Sequence, residues 1–224
     1  MTRASDQMLA AFPTRIKVPE ELVAYFRWLE EQDLYRNFDG DGFRHALIDP
    51  SQEQSCIGIK PPDSDHAKAW THSDDPEVFE RLAPFCRTGG DGSYAALWLD
   101  NDGRVQIVHL GSGSGSVMMG VMVDNPIDFL RLLAIGYDEL CWPENHHRTP
   151  HDIFAEENVD ELEDDPDMEF PARPAELRDW LETRFGLAVP ETASEIVGGI
   201  PSMDDKHSDD PFWLWDHSLP KWQS

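Results

Sequence analysis

The chain is poor in cysteine. Cys56, Cys86 and Cys141 are an odd number and widely spaced in 224 residues. That argues against a disulfide framework, and with no Cys-x-x-Cys pair there is no zinc ribbon or thioredoxin-type site either. Long apolar runs are missing too. The longest, Val117 to Val123, is far too short to span a bilayer. The opening "MTRASDQMLAAFP" has one Arg and too few apolar residues to form the core of a secretory signal. These shortages predict a soluble, cytoplasmic protein. Basic residues are scarce as well: 18 Lys and Arg face 44 Asp and Glu, a formal net charge of −26. A polyanion of that size repels nucleic acid and anionic membrane, and it draws in basic partners at rates that fall as salt rises. No internal repeat is visible.

Catalytic signatures are also absent. The stretch "HLGSGSGSVMMG" (His109 to Gly120) invites comparison with a phosphate cradle, which needs Gly-x-Gly-x-x-Gly opening a helix. Gly111 and Gly113 are followed by Ser116, and Gly113 and Gly115 by Met118, so the register fails both ways. No Lys-Ser or Lys-Thr follows, and the next element, "VMMGVMV", has the composition of a strand. A loop between strands is expected. The Gly-x-Ser-x-Gly nucleophile turn would fit "GSGSG" only if Gly113 were serine. His147 and His151 have metal-sharing i, i+4 spacing beside His146 and Asp152, but Pro150 interrupts any helix through both, and no His-Glu-x-x-His accompanies them. A solvated loop is expected there, with a metal-dependent hydrolase using His146, His147 and His151 as the rival. Cys86 and Cys141 border apolar helices, where buried free cysteine is common. No catalytic residue, metal site or cofactor is expected.

What is present is a set of elements. After a loose N-terminus, "PEELVAYFRWLEEQ" (Pro19 to Gln32) predicts a helix, with Leu22, Tyr25, Phe26 and Leu29 at helical spacing. "YRNFDGDGFRHALID" supplies Asp-Gly turn signals before a short apolar run, and "KPPDSDHAKAW" reads as a loop. "DDPEVFERLAPFC" opens as a helix and is expected to run to about Phe85. "SYAALWLDNDGRVQIVHLG" predicts two strands joined at Asn101-Asp102-Gly103, and "VMMGVMV" a third. "DNPIDFLRLLAIGYDEL" predicts a capped amphipathic helix with Ile127, Leu130, Leu133 and Ala134 on one face.

Beyond Pro143 the composition shifts. Nine carboxylates lie between Glu156 and Glu169 with no basic residue among them, which predicts a surface-exposed acidic insertion with a short helix. "PAELRDWLETRFGL" predicts a helix turning Leu177, Trp180, Leu181 and Phe185 to a core and ended by Gly186. The tail "DDPFWLWDHSLPKW" holds Trp213, Trp215 and Trp222, too many to leave in water; it is expected to fold back on the body or to meet a partner.

From Gly89 to Leu140 the order of features resembles the SUKH superfamily, the Smi/Knr-type domain. A Gly-rich turn is followed by a strand ending in an aromatic residue, a hairpin, and a second strand running into a Gly-Ser loop; then come a third strand and the helix "DFLRLLAIGY". The resemblance covers about fifty residues. It implies an α+β fold, a twisted, mostly antiparallel sheet flanked by helices. The chain is expected to divide into a core over residues 13–145 and an acidic insertion, helix and Trp-rich C-terminal segment over 146–224 that packs on or extends it. It also implies no enzymatic activity. Many bacterial members resemble immunity proteins that neutralise a polymorphic toxin, often a nuclease, while eukaryotic relatives are regulatory interaction proteins. The family has no shared catalytic residues to carry over. The charge agrees with such a role, because a nuclease that grips phosphates is basic. The residues expected to meet a toxin are Glu156, Glu157, Asp160, Glu161, Glu163, Asp164 and Asp165, joined by Asp209 and Asp210 around the aromatic anchors Trp213 and Trp215. A non-enzymatic scaffold protein of the same fold is the alternative.

Overall fold

The computed structural model describes residues 3–36, 45–53, 55–165 and 167–222; the Asp-Gly turn signals at Asp39 to Gly42 lie outside the described residues. The chain begins with α1 (Ala4–Ala10) and α2 (Glu20–Glu31). Arg3 precedes α1 and offers no capping side chain, so Glu30 of α2 does the work, accepting the Ala4 N–H at 3.0 Å and the Ser5 hydroxyl. Met8 and Phe12 are buried by this packing, so the expected loose N-terminus is instead part of the core.

Next come β1 (Tyr35–Arg36), β2 (His45–Ala46) and β3 (Gly58–Ile59), then α3 (Ser64–Thr71) and α4 (Glu77–Arg81). The strands β4 (Leu82–Arg87), β5 (Tyr94–Leu99), β6 (Val105–Leu110) and β7 (Met119–Val123) follow. Among the described residues the seven strands form one antiparallel sheet in chain order, each pairing with the next. The fold is α+β. Two expectations fail in this region. "KPPDSDHAKAW" is not all loop: Asp63 accepts the Asp65 N–H at 2.9 Å and starts α3 directly after the two prolines. The helix expected to reach Phe85 stops at Arg81, because Leu82 to Arg87 is buried on both sides as a central strand. Pro84, awkward inside a sheet, stands where the β4–β5 register shifts, a bulge that relieves the ladder of the missing donor.

The remaining helices are α5 (Pro126–Leu133), α6 (Pro150–Glu157), α7 (Val159–Asp164), α8 (Ala175–Phe185) and α9 (Pro211–Ser218). Asn125 caps α5, accepting the Asp128 N–H at 2.9 Å. The helix ends earlier than its apolar pattern suggested, and Phe129 and Leu132 join Leu130 and Leu133 in the core while Ile127 is only half-buried. As expected, α8 buries Leu177 and Leu181, packs Trp180 and Phe185 against the core, and ends at Gly186 with φ 65°. None of the helices among the described residues is long and apolar enough to cross a membrane.

Helices cover both faces of the sheet. Ala95, Leu97 and Ile107 belong to one core with α2, α5 and α8, whereas Ala96, Trp98, Val108 and Leu110 belong to a second core with α9. Residues 146–224 are therefore distributed over the body, since α8 completes the first core and α9 the second. Buried carboxylates tie these pieces together. Asp49, only 1% exposed, accepts the Ser51 N–H at 2.9 Å and the Leu177 N–H at 2.8 Å, acting as a remote cap for α8. Asp100 accepts from the Asp102 and Arg104 N–H groups, holding the turn between β5 and β6 at the expected Asp-Gly position.

The glycine-serine stretch is the β6–β7 loop, as expected, and it grips a carboxylate of the chain itself. Asp91 accepts from the Ser93 hydroxyl at 2.7 Å, the Ser112 hydroxyl at 2.9 Å and the Ser116 N–H at 2.9 Å. Burial pushes its pKa up, but these hydrogen bonds outweigh burial and hold it down at about 2. Glycine is needed at 115, where a Cβ would lie 2.7 Å from the Asp91 Cβ. Behind the loop, His109 is fully buried between the Met118 carbonyl, 2.9 Å from Nδ1, and the Thr88 hydroxyl, 3.0 Å from Nε2. A carbonyl only accepts, so Nδ1 carries the proton and Nε2 accepts from Thr88. Burial lowers the His109 pKa to about 4.

The folded chain thus refuses a proton that the unfolded chain takes up below its ordinary histidine pKa of about 6.5. Stability from His109 is complete above that value and is lost as pH falls toward about 4. In urea titrations the stability advantage of wild type over His109→Gln should shrink by on the order of 3 kcal/mol across this window. A gap independent of pH would contradict the buried neutral imidazole.

Candidate functional site

The acidic insertion folds as two consecutive short helices. Thr149 caps α6, accepting the Asp152 N–H at 3.2 Å, and Pro150 occupies the first helical position. Asn158 separates α6 from α7 with φ −120° and ψ 35°, its side chain donating back to the Phe154 carbonyl at 2.8 Å. Neither helix contains a buried residue; Ile153, Phe154 and Leu162 are half-buried on the inner side. Glu156, Glu157, Asp160, Glu161, Glu163, Asp164 and Asp165 are all exposed. The structure therefore brings these seven predicted residues together on one arm.

The arm is electrostatically unfavourable to itself. Asp160 and Asp164 are an i, i+4 pair of like charge within α7, which destabilises a helix by a few tenths of a kcal/mol (about 0.2–0.5). Glu163, Asp164 and Asp165 crowd the C-terminal end of α7, where the helix dipole is already negative. Among these seven, only Glu156 makes an ion pair within the described residues, with Arg148.

The tail residues have a different place. Asp209 is exposed, but Asp210 caps α9, accepting the Phe212 and Trp213 N–H groups at 2.9 Å, and its other oxygen accepts the Val121 N–H of β7 at 2.9 Å. Trp213 and Trp215 are 7% and 6% exposed in the second core, with the Trp215 ring 5.7 Å from Trp98. Of the two outcomes left open by the sequence, the tail takes the first and folds back on the body. Trp213 and Trp215 are occupied as core residues, and Asp210 as a structural cap. The sequence signal was Asp-Asp-Pro, the same helix-start pattern that opens α4.

The histidines do not converge. His146 is buried, donating from Nε2 to the Leu140 carbonyl at 3.1 Å, and burial lowers its pKa. His147 is exposed ahead of α6, and His151, in the first turn of α6, stacks on Phe170 with ring centroids 3.9 Å apart. Pro150 at the helix start is what parts them. Among the described residues no group of three His, Cys, Asp or Glu side chains is placed to hold a metal. The three cysteines are free, and burial first, with Asp138 and Glu139 added at Cys56, pushes each thiol up and away from the reactive thiolate.

Substitutions should separate the two acidic groups. Asp210→Ala removes a cap and a tie to β7 and should cost about 1–3 kcal/mol in chemical denaturation. The triple change Glu161→Gln, Asp164→Asn, Asp165→Asn should leave the melting temperature unchanged or raise it, since it removes repulsion. A clear loss of stability in the triple variant would show that the arm supports the fold.

No family model, no curated protein and no solved structure matches this chain.

Proposed function

We propose that this protein is a non-enzymatic binding protein that neutralises a basic protein toxin in the cytoplasm, a nuclease being the chemistry that fits best. The observation that carries this is the arm of α6 and α7: among the described residues its exposed carboxylates are paired almost nowhere, and Glu163, Asp164 and Asp165 oppose the helix end they sit on. Natural proteins keep such stability costs where binding needs them. A net charge of −26 adds a long-range field that speeds encounter with a cationic surface and repels nucleic acid. The order of features from Gly89 to Leu140, which resembles the SUKH superfamily, points the same way. The interaction needs no cofactor. Inhibition follows if the arm lies where the nuclease would otherwise hold phosphates.

Co-expression with the protein encoded by the adjacent open reading frame tests the reading. Cells should survive with the wild-type chain and lose protection with the arm neutralised. In stopped-flow mixing, association should slow several-fold as salt rises from low to physiological strength, with dissociation changing less. Absence of rescue, or an association rate indifferent to salt, would remove the proposal.

A further inference from the structure

Beside the acidic arm lies a groove of about 960 Å³ that the charge argument alone does not use. One wall is the inner side of α6, with Ile153, Phe154 and Glu157; the other is the returning chain from Met168 to Arg173. The turn from Gly136 to Glu139 and the indole of Trp142 close it. The returning chain is fixed at its end: Gln52 Nε2 donates to the Ala172 carbonyl at 2.6 Å and Arg173 pairs with Glu191 at 2.9 Å. The groove is therefore a feature of the folded body.

Its chemistry is one-sided. Trp142, Phe154 and Phe170 give aromatic surface, and Phe170 is 39% exposed although it stacks on His151 and lies 5.1 Å from Phe154. Five carboxylates, Asp138, Glu139, Asp152, Glu157 and Glu169, line the same space. The single guanidinium, Arg173, is already engaged by Glu191. Glu157 and Glu169 line opposite walls and make no ion pair among the described residues. An anionic occupant would be repelled. Asp138, Glu139 and Asp152 already accept from the chain, but a purely apolar occupant would strip water from Glu157 and Glu169 and leave them unpaired, which is costly. A guanidinium satisfies both surfaces at once, lying flat on an aromatic face while its edge donates to a carboxylate. The volume suits several side chains rather than one.

We infer that this groove seats an arginine-bearing loop of the basic partner, with Phe170 as the stacking surface and Glu157 and Glu169 as its counter-charges. The inference rests on the proposed reading of the arm, and Glu157 belongs to both surfaces. It divides the labour: the outer carboxylates of α7 set the encounter rate, and the groove sets how long the complex lasts.

Calorimetric titration of the full chain at physiological salt with a capped tetra-arginine peptide tests it, with tetra-glutamate and spermidine as comparison probes. Two variants are used, both checked for unchanged melting temperature: Glu169→Gln with Phe170→Ala in the groove, and Asp160→Asn, Glu161→Gln, Asp164→Asn on the arm outside it. The expected result is arginine-peptide binding that weakens at least tenfold in the groove variant and less than threefold in the arm variant, with no binding of tetra-glutamate. Equal losses in both variants would mean only a diffuse polyanion and overturn the seat. So would absence of arginine-peptide binding, or spermidine binding as tightly with the same loss in the groove variant, which would assign the groove to free polyamines. With the adjacent open reading frame's product as ligand, dissociation should quicken in the groove variant. If only the arm variant impairs that complex, the groove inference fails and the arm reading survives; if neither does, both fail.

Discussion

Leu97 and Trp98 are neighbours in β5, yet they pack into different cores. A strand buried on both faces obliges the chain to supply cover twice. On one side α2, α5 and α8 provide it; on the other the cover includes Phe212, Trp213 and Trp215 of α9, the last regular element. Burying large aromatic side chains is worth a few kcal/mol each, about 1.5–3 for a Phe-sized group. This requirement decides where the tail goes. Asp210 then does two jobs, starting α9 and satisfying the Val121 N–H on the sheet edge. The Pro201 carbonyl accepts the Met119 N–H at 2.8 Å on the same edge, so β7 is not left open to pair with another chain.

Once the tryptophans are committed to the sheet, the acidic residues fall into two populations. Asp49, Asp91, Asp210 and Glu30 accept backbone or hydroxyl hydrogen bonds that hold distant pieces of chain together, and Asp100 fixes the β5–β6 turn. The carboxylates of α6 and α7 do almost none of this. They gather on an arm without a buried residue, and Glu163, Asp164 and Asp165 stand at the unfavourable end of a helix dipole. A net charge of −26 is therefore not uniform solubilising paint. Part of it is internal architecture, and part is concentrated on a surface beside an aromatic groove.

Much of the fold was legible where local chemistry and global packing agree. Asn101-Asp102-Gly103 announced the β5–β6 hairpin, and Asp100 anchors it through side-chain hydrogen bonds. Leu177, Leu181 and Gly186 marked α8 and its end. The errors came from segments whose pattern is ambiguous. Leu82, Ala83, Phe85 and Cys86 are apolar in succession, as a doubly covered strand requires, and a short apolar run cannot be told from a buried helix by periodicity. Pro61 and Pro62 masked α3, although Asp63 was a cap in plain view. Seven residues of α1 were too few to show a period, and their cap comes from Glu30, far along the chain. At the site, the acidic run was visible as composition. The groove was not, because it joins the turn at Gly136 with Met168 to Arg173, and no local pattern records that meeting.

The central claim is that the arm of α6 and α7, rather than the aromatic tail, is the surface given to a partner. Hydrogen–deuterium exchange on the purified chain, alone and mixed with the product of the adjacent open reading frame, tests it most directly. The account predicts slowed exchange centred on residues 150–173 and on the groove wall from Gly136 to Trp142, with α9 already protected in the free chain and unchanged on mixing. New protection centred on α9 with none on the arm would contradict it.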